Sequence, residues 1–211
     1  MTIKERKEYE KNQKISHFIN IAEEIFFEYG YLAATMDNIA KKSSYSKRTL
    51  YLYFENKEDL CFAIIFRAFS ILEIEFTKIK ESDISPEDKI RDTILFSINY
   101  ILLNKKYYDL LKIFLDYEIT KKDRNNYAKK CFEIQKKLLL IHKEIIEDGI
   151  KKNIFKNDTN LEISPLLIFS SNIGLFIFLN KGDAFLSQEF NTNKESIINN
   201  FIDYVINILK K

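Results

Sequence analysis

Glycine and proline are scarce in this chain, with four and two of them among 211 residues. Both residue types mark turns and interrupt regular elements, so a chain with so few of them has few turns. Lysine, glutamate, isoleucine and leucine are frequent instead, and a hydrophobic share of 46% is enough for a substantial core. The composition therefore excludes wholesale disorder and predicts an all-α protein.

Cysteine is almost absent, since Cys61 and Cys131 are the two in the sequence and stand seventy positions apart. This spacing excludes a paired zinc-ligand set and makes a disulfide framework implausible, so we expect reduced thiols and no bound metal. The charged first 14 residues lack the apolar stretch of a signal peptide. The most apolar segment, residues 163–179, contains Pro165 and Gly174 and is too short and too interrupted for a membrane span. We therefore expect a cytoplasmic protein.

A large excess of one charge sign is also missing, because 33 Lys and Arg stand against 31 Asp and Glu, a formal net charge of +2. Global charge alone therefore gives no argument for a nucleic-acid partner, and the argument depends on where the charge lies. The cations between residues 41 and 57 are Lys41, Lys42, Lys47, Arg48 and Lys57. Only Glu55 opposes them, and five minus one leaves +4 on this segment, which a phosphate backbone would attract.

The order of the helices follows from apolar spacing and capping residues. Apolar residues recur every three or four positions over residues 15–29, and Gly30 follows directly, which predicts an amphipathic helix ending at the glycine. Thr35, Ser46 and Asn56 are N-cap residues for the next three helices, predicted at 36–42, 47–53 and 57–80. Further helical patterns cover residues 86–104, 107–119, 124–152, 164–180 and 194–210, and residues 153–162 form a predicted polar loop.

Two short capped helices, joined by a break at residues 43–45 and preceded by a longer helix, predict a helix-turn-helix. In that motif the second short helix enters the major groove, and its first residues reach base edges. Leu50 and Phe54 stand four positions apart and are expected to pack inward. Tyr51 and Tyr53 are offset from them, so at least one of these rings can lie along DNA and donate its hydroxyl to a phosphate.

Many residues in unbroken register carry a resemblance to a known family. They are Ile19, Ala22, Ile25, Phe26, Glu28, Gly30, Tyr31, Thr35, Ile39, Ala40, Ser46, Lys47, Arg48, Thr49, Leu50, Tyr51, Tyr53, Phe54, Asn56, Lys57, Glu58 and Leu60. Residues 12–72 resemble the DNA-binding domain of TetR-family transcriptional regulators, with the helix-turn-helix at residues 35–54. Residues 73–211 are similar only in helix number and order, which implies a helical effector-binding and dimerisation domain.

The resemblance also implies which residues contact DNA. Those expected to hold phosphates are Thr35, Tyr51, Tyr53 and Lys57. Those expected to face the groove are Tyr45, Ser46, Lys47, Arg48 and Thr49. Arg48 or Lys47 could pair with a guanine, at about 1–3 kcal/mol of discrimination, and Thr49 could touch a thymine methyl. Tyr53 has an alternative interpretation as a mostly buried ring.

Three positions depart from the family pattern. Ser44 stands where the family usually has a glycine that tolerates a positive φ, which implies some strain. Tyr45 replaces a small apolar residue, and Arg48 stands where glycine is common. These departures leave the fold expectation intact and the operator sequence open. Lys41 and Lys42 are equally well interpreted as a solvated face.

The last two helices imply a dimer, because in the family they pair with their copies in a four-helix interface where Gly174 could permit close approach. The first of them is apolar nearly all round, so we expect it to be buried on several sides. The rings between the DNA-binding part and these helices are Phe66, Phe69, Phe96, Tyr100, Tyr107, Tyr108, Phe114, Tyr117 and Phe132. Most of them are expected to be core, and an effector pocket among them would favour a hydrophobic or aromatic molecule. Asp116 and Glu118 either offer charge to a cationic ligand or form a solvated face.

We therefore expect a sequence-specific transcriptional regulator, a dimeric repressor that a small molecule releases from a palindromic operator through the long helix starting at Lys57. No cofactor is expected. The alternatives are a non-specific or architectural helical DNA-binding protein, and a helical interaction protein that no longer binds DNA. An enzyme is not expected, because phosphate-loop and HExxH motifs are missing from the sequence. His17 and His142 lie on separate predicted helices and are expected at the surface.

Overall fold

The computed structural model describes residues 1–103, 105–117 and 126–211. In this part the chain forms ten α-helices and no β-strand, which confirms the predicted all-α fold. The helices are α1 (Ile3–Tyr29), α2 (Met36–Lys42), α3 (Lys47–Tyr51), α4 (Lys57–Glu81), α5 (Pro86–Leu103), α6 (Lys105–Leu115), α7 (Asn126–Lys151), α8 (Ser164–Leu179), α9 (Asp183–Phe190) and α10 (Lys194–Leu209).

Most predicted helices are found close to their predicted ends. α2 has the predicted bounds, and α4, α8 and α10 each differ from the prediction by one residue at one end, while α5 agrees with it over the described residues 86–103. α3 ends at Tyr51, two residues early, because the amides of Tyr53 and Phe54 both turn back to the carbonyl of Leu50. The predicted positions 104, 118–119 and 124–125, and with them the candidate Glu118, lie outside the described residues.

α1 begins at Ile3, twelve residues before the predicted start at Ile15. A capping box fixes this start, because the amide of Glu5 donates to the Thr2 hydroxyl at 3.2 Å and the amide of Thr2 donates to the Glu5 carboxylate at 2.7 Å. Apolar spacing gave no sign of these turns, since they place no residue in the core. The Thr-x-x-Glu spacing is the sequence signal that marks them.

α9 was not predicted, and it lies where the sequence suggested only a connection. It follows Gly182, at φ 101°, and ends at Asn191, at φ 49°. Its axis is bent by 92° from that of α8. Within the described residues no single helix is long and apolar enough to cross a membrane. The bent pair of α8 and α9 has the length and apolar composition of a membrane span only when the two helices are counted together.

The described residues pack as two compact units, which are Met1–Phe69 with Lys106–Glu133, and Ser70–Lys105 with Ile134–Lys211. α4 and α7 contribute residues to both. The first unit thus holds nearly all of α6 and the start of α7 besides residues 12–69 of the predicted DNA-binding segment. The functional division at residue 72 stays a prediction.

Polar and aromatic contacts hold the first unit together. The Glu23 carboxylate on α1 accepts a hydrogen bond from the Tyr107 hydroxyl of α6 at 2.5 Å. It also forms an ion pair with Arg67 of α4, at 2.5 Å. The ring of Phe54 stacks on Tyr127, at the start of α7, with centroids 5.8 Å apart. Residues from α6 and α7 therefore help to fix α1 and the segment that follows α3.

In the second unit, His142 is buried, so its predicted surface position is wrong. Its Nε2 lies 3.0 Å from the hydroxyl of Thr93, which itself donates to carbonyls of its own helix, so the neutral ring donates to Thr93. Burial lowers the pKa of His142 to about 4, which keeps the ring neutral at pH 7. His142 is thus a core residue whose ring is hydrogen-bonded, and the face of α7 that carries it packs against the interior of the unit.

The polar loop predicted at residues 153–162 is anchored by Phe155, whose side chain is fully buried. A Cβ added to Gly149 on α7 would overlap the ring of Phe155, so this position requires glycine. The amides of Ile154 and Phe155 both donate to the Gly149 carbonyl, at 2.9 and 3.1 Å. The loop therefore returns directly onto the end of α7.

α8 was expected to be buried on several sides, and in the single chain this is wrong. Leu166, Leu167 and Ile177 are exposed, whereas Ile168 and Phe176 are buried. The helix therefore packs along one side and presents an apolar face along the other.

Candidate nucleic-acid interface

The break between α2 and α3 is a helix-ending turn of the Schellman type. The amide of Tyr45 donates to the carbonyl of Ala40 and that of Ser44 to Lys41, each at 3.2 Å. Ser44 has a φ of 61°, the left-handed region that this motif requires and that glycine adopts most easily. The strain expected at Ser44 from the sequence is therefore present in the backbone.

Both short helices have the N-caps expected from the sequence. The Thr35 hydroxyl accepts from the amide of Asn38 at 3.2 Å, and the Ser46 hydroxyl accepts from the amide of Thr49 at 3.1 Å. The hydroxyls of Ser46 and Thr49 also lie 2.8 Å apart. These caps fix where α2 and α3 begin, since each satisfies an amide that the helix leaves unpaired.

Leu50 and Phe54 are fully buried, which confirms the predicted inward face of this segment. The candidate residues on the exposed side are Tyr45, Ser46, Lys47, Arg48 and Tyr51. Thr35 is also exposed, and Thr49, Tyr53 and Lys57 are half-buried. The structure thus places the proposed groove-facing residues around the first turn of α3, with Thr49 partly turned toward the core.

The turn before α3 rests on α1. The ring of Phe18 lies 5.2 Å from that of Tyr45 and 5.7 Å from that of Tyr53, and His17 Nε2 lies 3.1 Å from the carbonyl oxygen of Ser43. Tyr45, one of the departures from the family pattern, therefore has a packing role that a small apolar residue would not fill.

Ion pairs reduce the local charge that the sequence suggested. Lys47 Nζ lies 2.6 Å from Asp37, which raises the pKa of Lys47, and Lys42 Nζ lies 3.1 Å from Glu24. Both carboxylates belong to residues before position 41, so a count over residues 41–57 missed them. Among the described residues, Arg48 has no hydrogen-bond or ion-pair partner. Its guanidinium is therefore the cation of α3 that remains available to a ligand.

Lys57 holds the loop that leads into α2. Its ammonium donates to the carbonyls of Tyr31 at 2.7 Å and Ala34 at 2.9 Å, with Leu32 at 3.4 Å. It also lies 4.3 Å from the centroid of the Tyr31 ring. Lys57 thereby positions Thr35 at the start of α2, and its phosphate contact stays a prediction.

The described residues contain no group of three or more His, Cys, Asp or Glu side chains that could hold a metal ion. A short capped helix, exposed on one side and packed through Leu50 on the other behind a tight turn, is the arrangement of helix-turn-helix DNA-binding proteins. The fold and the site therefore define a DNA-binding regulator.

Comparison with known proteins gives the family. The family "Bacterial regulatory proteins, tetR family" matches residues 18–64. The chain is 30% identical over 140 residues to the uncharacterized HTH-type transcriptional regulator YhgD of Bacillus subtilis, covering 65% of this chain and 70% of that one. It is 25% identical over 167 residues to the Bacillus subtilis fatty acid metabolism regulator protein, covering 77% and 81%. The chain belongs to the TetR family.

Solved structures agree with this fold. FadR from Bacillus subtilis, in complex with stearoyl-CoA, has a TM-score of 0.71 at 18% identity, covering 92% of this chain and 98% of that one. A TetR/AcrR-family regulator from Thermobifida fusca also has a TM-score of 0.71, at 19% identity and coverage of 94% and 100%. The protein is a DNA-binding transcriptional regulator, and the architectural alternative is not favoured.

Replacing Ser44 by glycine should stabilise the protein, by about 1 kcal/mol, because a residue with a Cβ pays roughly this amount at a positive φ. Urea unfolding of the purified variant measures the change. Ser43→Gly is the matched control, since Ser43 has φ −75° and its hydroxyl donates to the Ala40 carbonyl, so this variant should be less stable than the wild type. Equal stabilisation by both substitutions would show that Ser44 is not strained.

Proposed function

We propose that this regulator is a repressor that binds a palindromic operator as a homodimer and is released by a hydrophobic small molecule. The observation that carries the DNA-binding half is the exposed first turn of α3, where Arg48 is unpaired among the described residues and the turn before it is fixed on Phe18. A DNA partner also favours a cytoplasmic location. The related proteins are regulators, and we propose no enzymatic role.

Within this proposal Arg48 reads a guanine. Its guanidinium can donate two hydrogen bonds to O6 and N7, and it need not break an ion pair first. Lys47 must leave Asp37 to do the same, so it is the weaker candidate. Tyr45, Ser46 and Thr49 line the groove side, and the Ser46 cap fixes where α3 and its first turn begin.

The proposed phosphate contacts surround this turn. They are made by Thr35 and Tyr51, with Tyr53 and Lys57 as the half-buried members. The exposed hydroxyls of Thr35 and Tyr51 can donate to phosphate oxygens, and such contacts position a protein on DNA without reading sequence. Lys57 also supports the Thr35 contact, because it holds the loop that precedes Thr35.

Arg48→Ala should weaken operator binding by about 1–3 kcal/mol and relax base preference at one position of each half-site. Selection of bound sites from random duplexes first gives the operator, and we expect an inverted repeat. Operator and random-sequence affinities are then compared with those of Lys136→Ala, which removes the same charge from an exposed site on α7. Unchanged operator affinity and unchanged base preference in Arg48→Ala would contradict the proposed reading role.

The dimer proposal is supported by apolar faces on α8 and α10. A groove between them in the second unit is lined by residues that include Leu167, Ser171, Tyr204 and Ile208. Leu167, Tyr204 and Ile208 are more than half exposed, at 59%, 65% and 52%. Neighbouring Gly174 has open space around it in the single chain, which would let another helix approach closely. Two copies would place two reading helices on a palindrome, which adds their contacts.

Leu167→Glu combined with Ile208→Glu should yield a folded monomer, because two charges per chain would be buried without partners in the proposed interface. Sedimentation measures the oligomeric state, and far-ultraviolet circular dichroism checks that the helices remain. Leu140→Glu on α7, at a position 51% exposed, is the control and should remain a dimer. A dimer that survives the double substitution would place the interface elsewhere.

The effector proposal starts from a groove between α4 and α5 in the second unit. It has a volume of about 390 Å³, and its walls include Ile79, Leu95, Phe96 and Tyr100. The rings of Phe96 and Tyr100 are stacked, 6.2 Å apart at 19°. The apolar walls favour a hydrophobic or aromatic group, and Glu75 and Asp92 also line the groove. Because one relative regulates fatty acid metabolism and a solved structure contains stearoyl-CoA, a long-chain acyl-CoA is the first candidate.

Within this proposal α4 transmits the effector signal, since the helix contributes residues to both compact units. The effector would prefer a conformation in which the two reading helices no longer match successive major grooves. Operator binding then weakens by the difference between the effector's affinities for the two conformations, and DNA weakens effector binding by the same factor.

Stearoyl-CoA should lower operator affinity, typically by about 5–150-fold for a coupled site. Operator affinity is measured with stearoyl-CoA, with coenzyme A and with stearate, so that the contributions of acyl chain and nucleotide are separated. Binding of each compound to the free protein is measured in parallel. If every compound that binds leaves operator affinity unchanged, release by these ligands is ruled out while DNA binding itself stands.

A further inference from the structure

The first three turns of α1 carry a row of lysines on one face. Lys4, Lys7, Lys11 and Lys14 are spaced by three, four and three residues. At 3.6 residues per turn these spacings bring the four side chains to one side of the helix. The Thr2 and Glu5 capping box fixes the start of α1 at residue 3, so this lysine row is part of a continuous helix.

The lysine row continues the face by which α1 packs on the helix-turn-helix. The same spacing of three and four leads from Lys14 to Phe18, Ala22 and Ile25, all three of which are buried. Lys14, the nearest of the lysines, is half-buried, and Lys11 is exposed. The face thus changes from apolar to cationic where the helix-turn-helix ends and α1 runs on alone.

The lysine row is unfavourable in the isolated protein. Cations three or four residues apart on a helix repel one another, and cations in the first turns oppose the helix dipole, each by a few tenths of a kcal/mol. Arg6, on another side, pairs with Glu10 at 3.0 Å. Among the described residues none of the four lysines has an ion-pair or hydrogen-bond partner, although Glu8 lies within one turn of Lys4 and Lys11. An anionic partner would offset these costs.

The position of the row relates it to α3. His17 and Phe18 contact Ser43 and Tyr45, the residues directly before the reading helix. Lys14 lies about 6 Å along the axis beyond Phe18, and Lys4 about 15 Å farther, at 1.5 Å per residue. α1 therefore projects past the turn that precedes α3, with its lysines on the side that contacts this turn.

We propose that the lysine row is a second DNA contact, which binds backbone phosphates flanking the half-site that α3 reads. This inference rests on the proposed operator binding by α3. Phosphates carry no sequence information, so the row adds affinity and salt dependence without adding base preference. The lysine row is continuous with the helix-turn-helix face and carries one charge sign, which favours duplex DNA as its partner. A membrane surface is disfavoured, because the apolar residues Ile3 and Tyr9 do not form a hydrophobic face opposite the lysines.

The test compares Lys7→Gln combined with Lys11→Gln against the wild type on the selected operator, with and without flanking base pairs. Glutamine keeps the helix propensity of lysine, so α1 should persist. On the flanked duplex, between about 50 and 200 mM salt, the slope of log K against log[salt] should fall by about 0.9 for each phosphate that the variant no longer neutralises. On the trimmed duplex the two proteins should have the same slope. Base preference should be unchanged.

Two controls make the outcome decisive. Lys136→Gln with Lys137→Gln removes the same charge from exposed positions on α7 and should keep the wild-type slope, and Lys7→Arg with Lys11→Arg should also keep it. Equal slopes for the glutamine variant and the α7 control on the flanked duplex overturn the proposal, as does failure of the arginine variant to keep the slope. Such results with operator preference intact leave the proposed function standing. A wild type without operator preference would instead defeat the proposed function.

Discussion

The packing of Phe18 is the constraint on which the helix-turn-helix and its candidate DNA-binding surface depend. Its buried ring contacts Tyr45 before α3 and Tyr53 and Phe54 after it, so it holds both ends of α3 in place. A five-residue helix is not stable alone and does not keep its direction, because the free-energy cost of helix nucleation exceeds the stabilisation from its few hydrogen bonds. The direction of Arg48 is therefore set by a side chain on another helix, and the Ser46 cap only sets where α3 starts.

Cations with a structural role lie beside cations that are proposed to bind DNA. Lys42 and Lys47 pair with carboxylates of preceding helices, and Lys57 donates to backbone carbonyls. These cations stabilise the surface structure, and the carboxylate and carbonyl oxygens around them partly offset their charges. Arg48 and the lysine row of α1 are unpaired among the described residues, and for this reason they are the cations proposed to contact DNA.

Several elements of the fold could be predicted from the sequence because their cause is local. The capping hydroxyls of Thr35 and Ser46 gave the starts of α2 and α3, and the spacing of Leu50 and Phe54 gave the buried side. The strain at Ser44 was implied by the family resemblance, because the family usually has a glycine at this position. The elements that were missed have other causes: α9 is a short helix whose apolar pattern is weak, and the first turns of α1 carry no core residue to mark them.

Local sequence patterns predicted most of the helices, because periodicity and caps act between residues close along the chain, and the resemblance of residues 12–72 indicated the family. Which charges remain unpaired depends on the packing of the helices, since Asp37 reaches Lys47 across a turn that a linear count ignores. The tertiary structure also decided that His142 is a neutral core residue and that one side of α8 is exposed, as at Leu167. Burial depends on which helices meet, and the pattern of one helix does not contain that information.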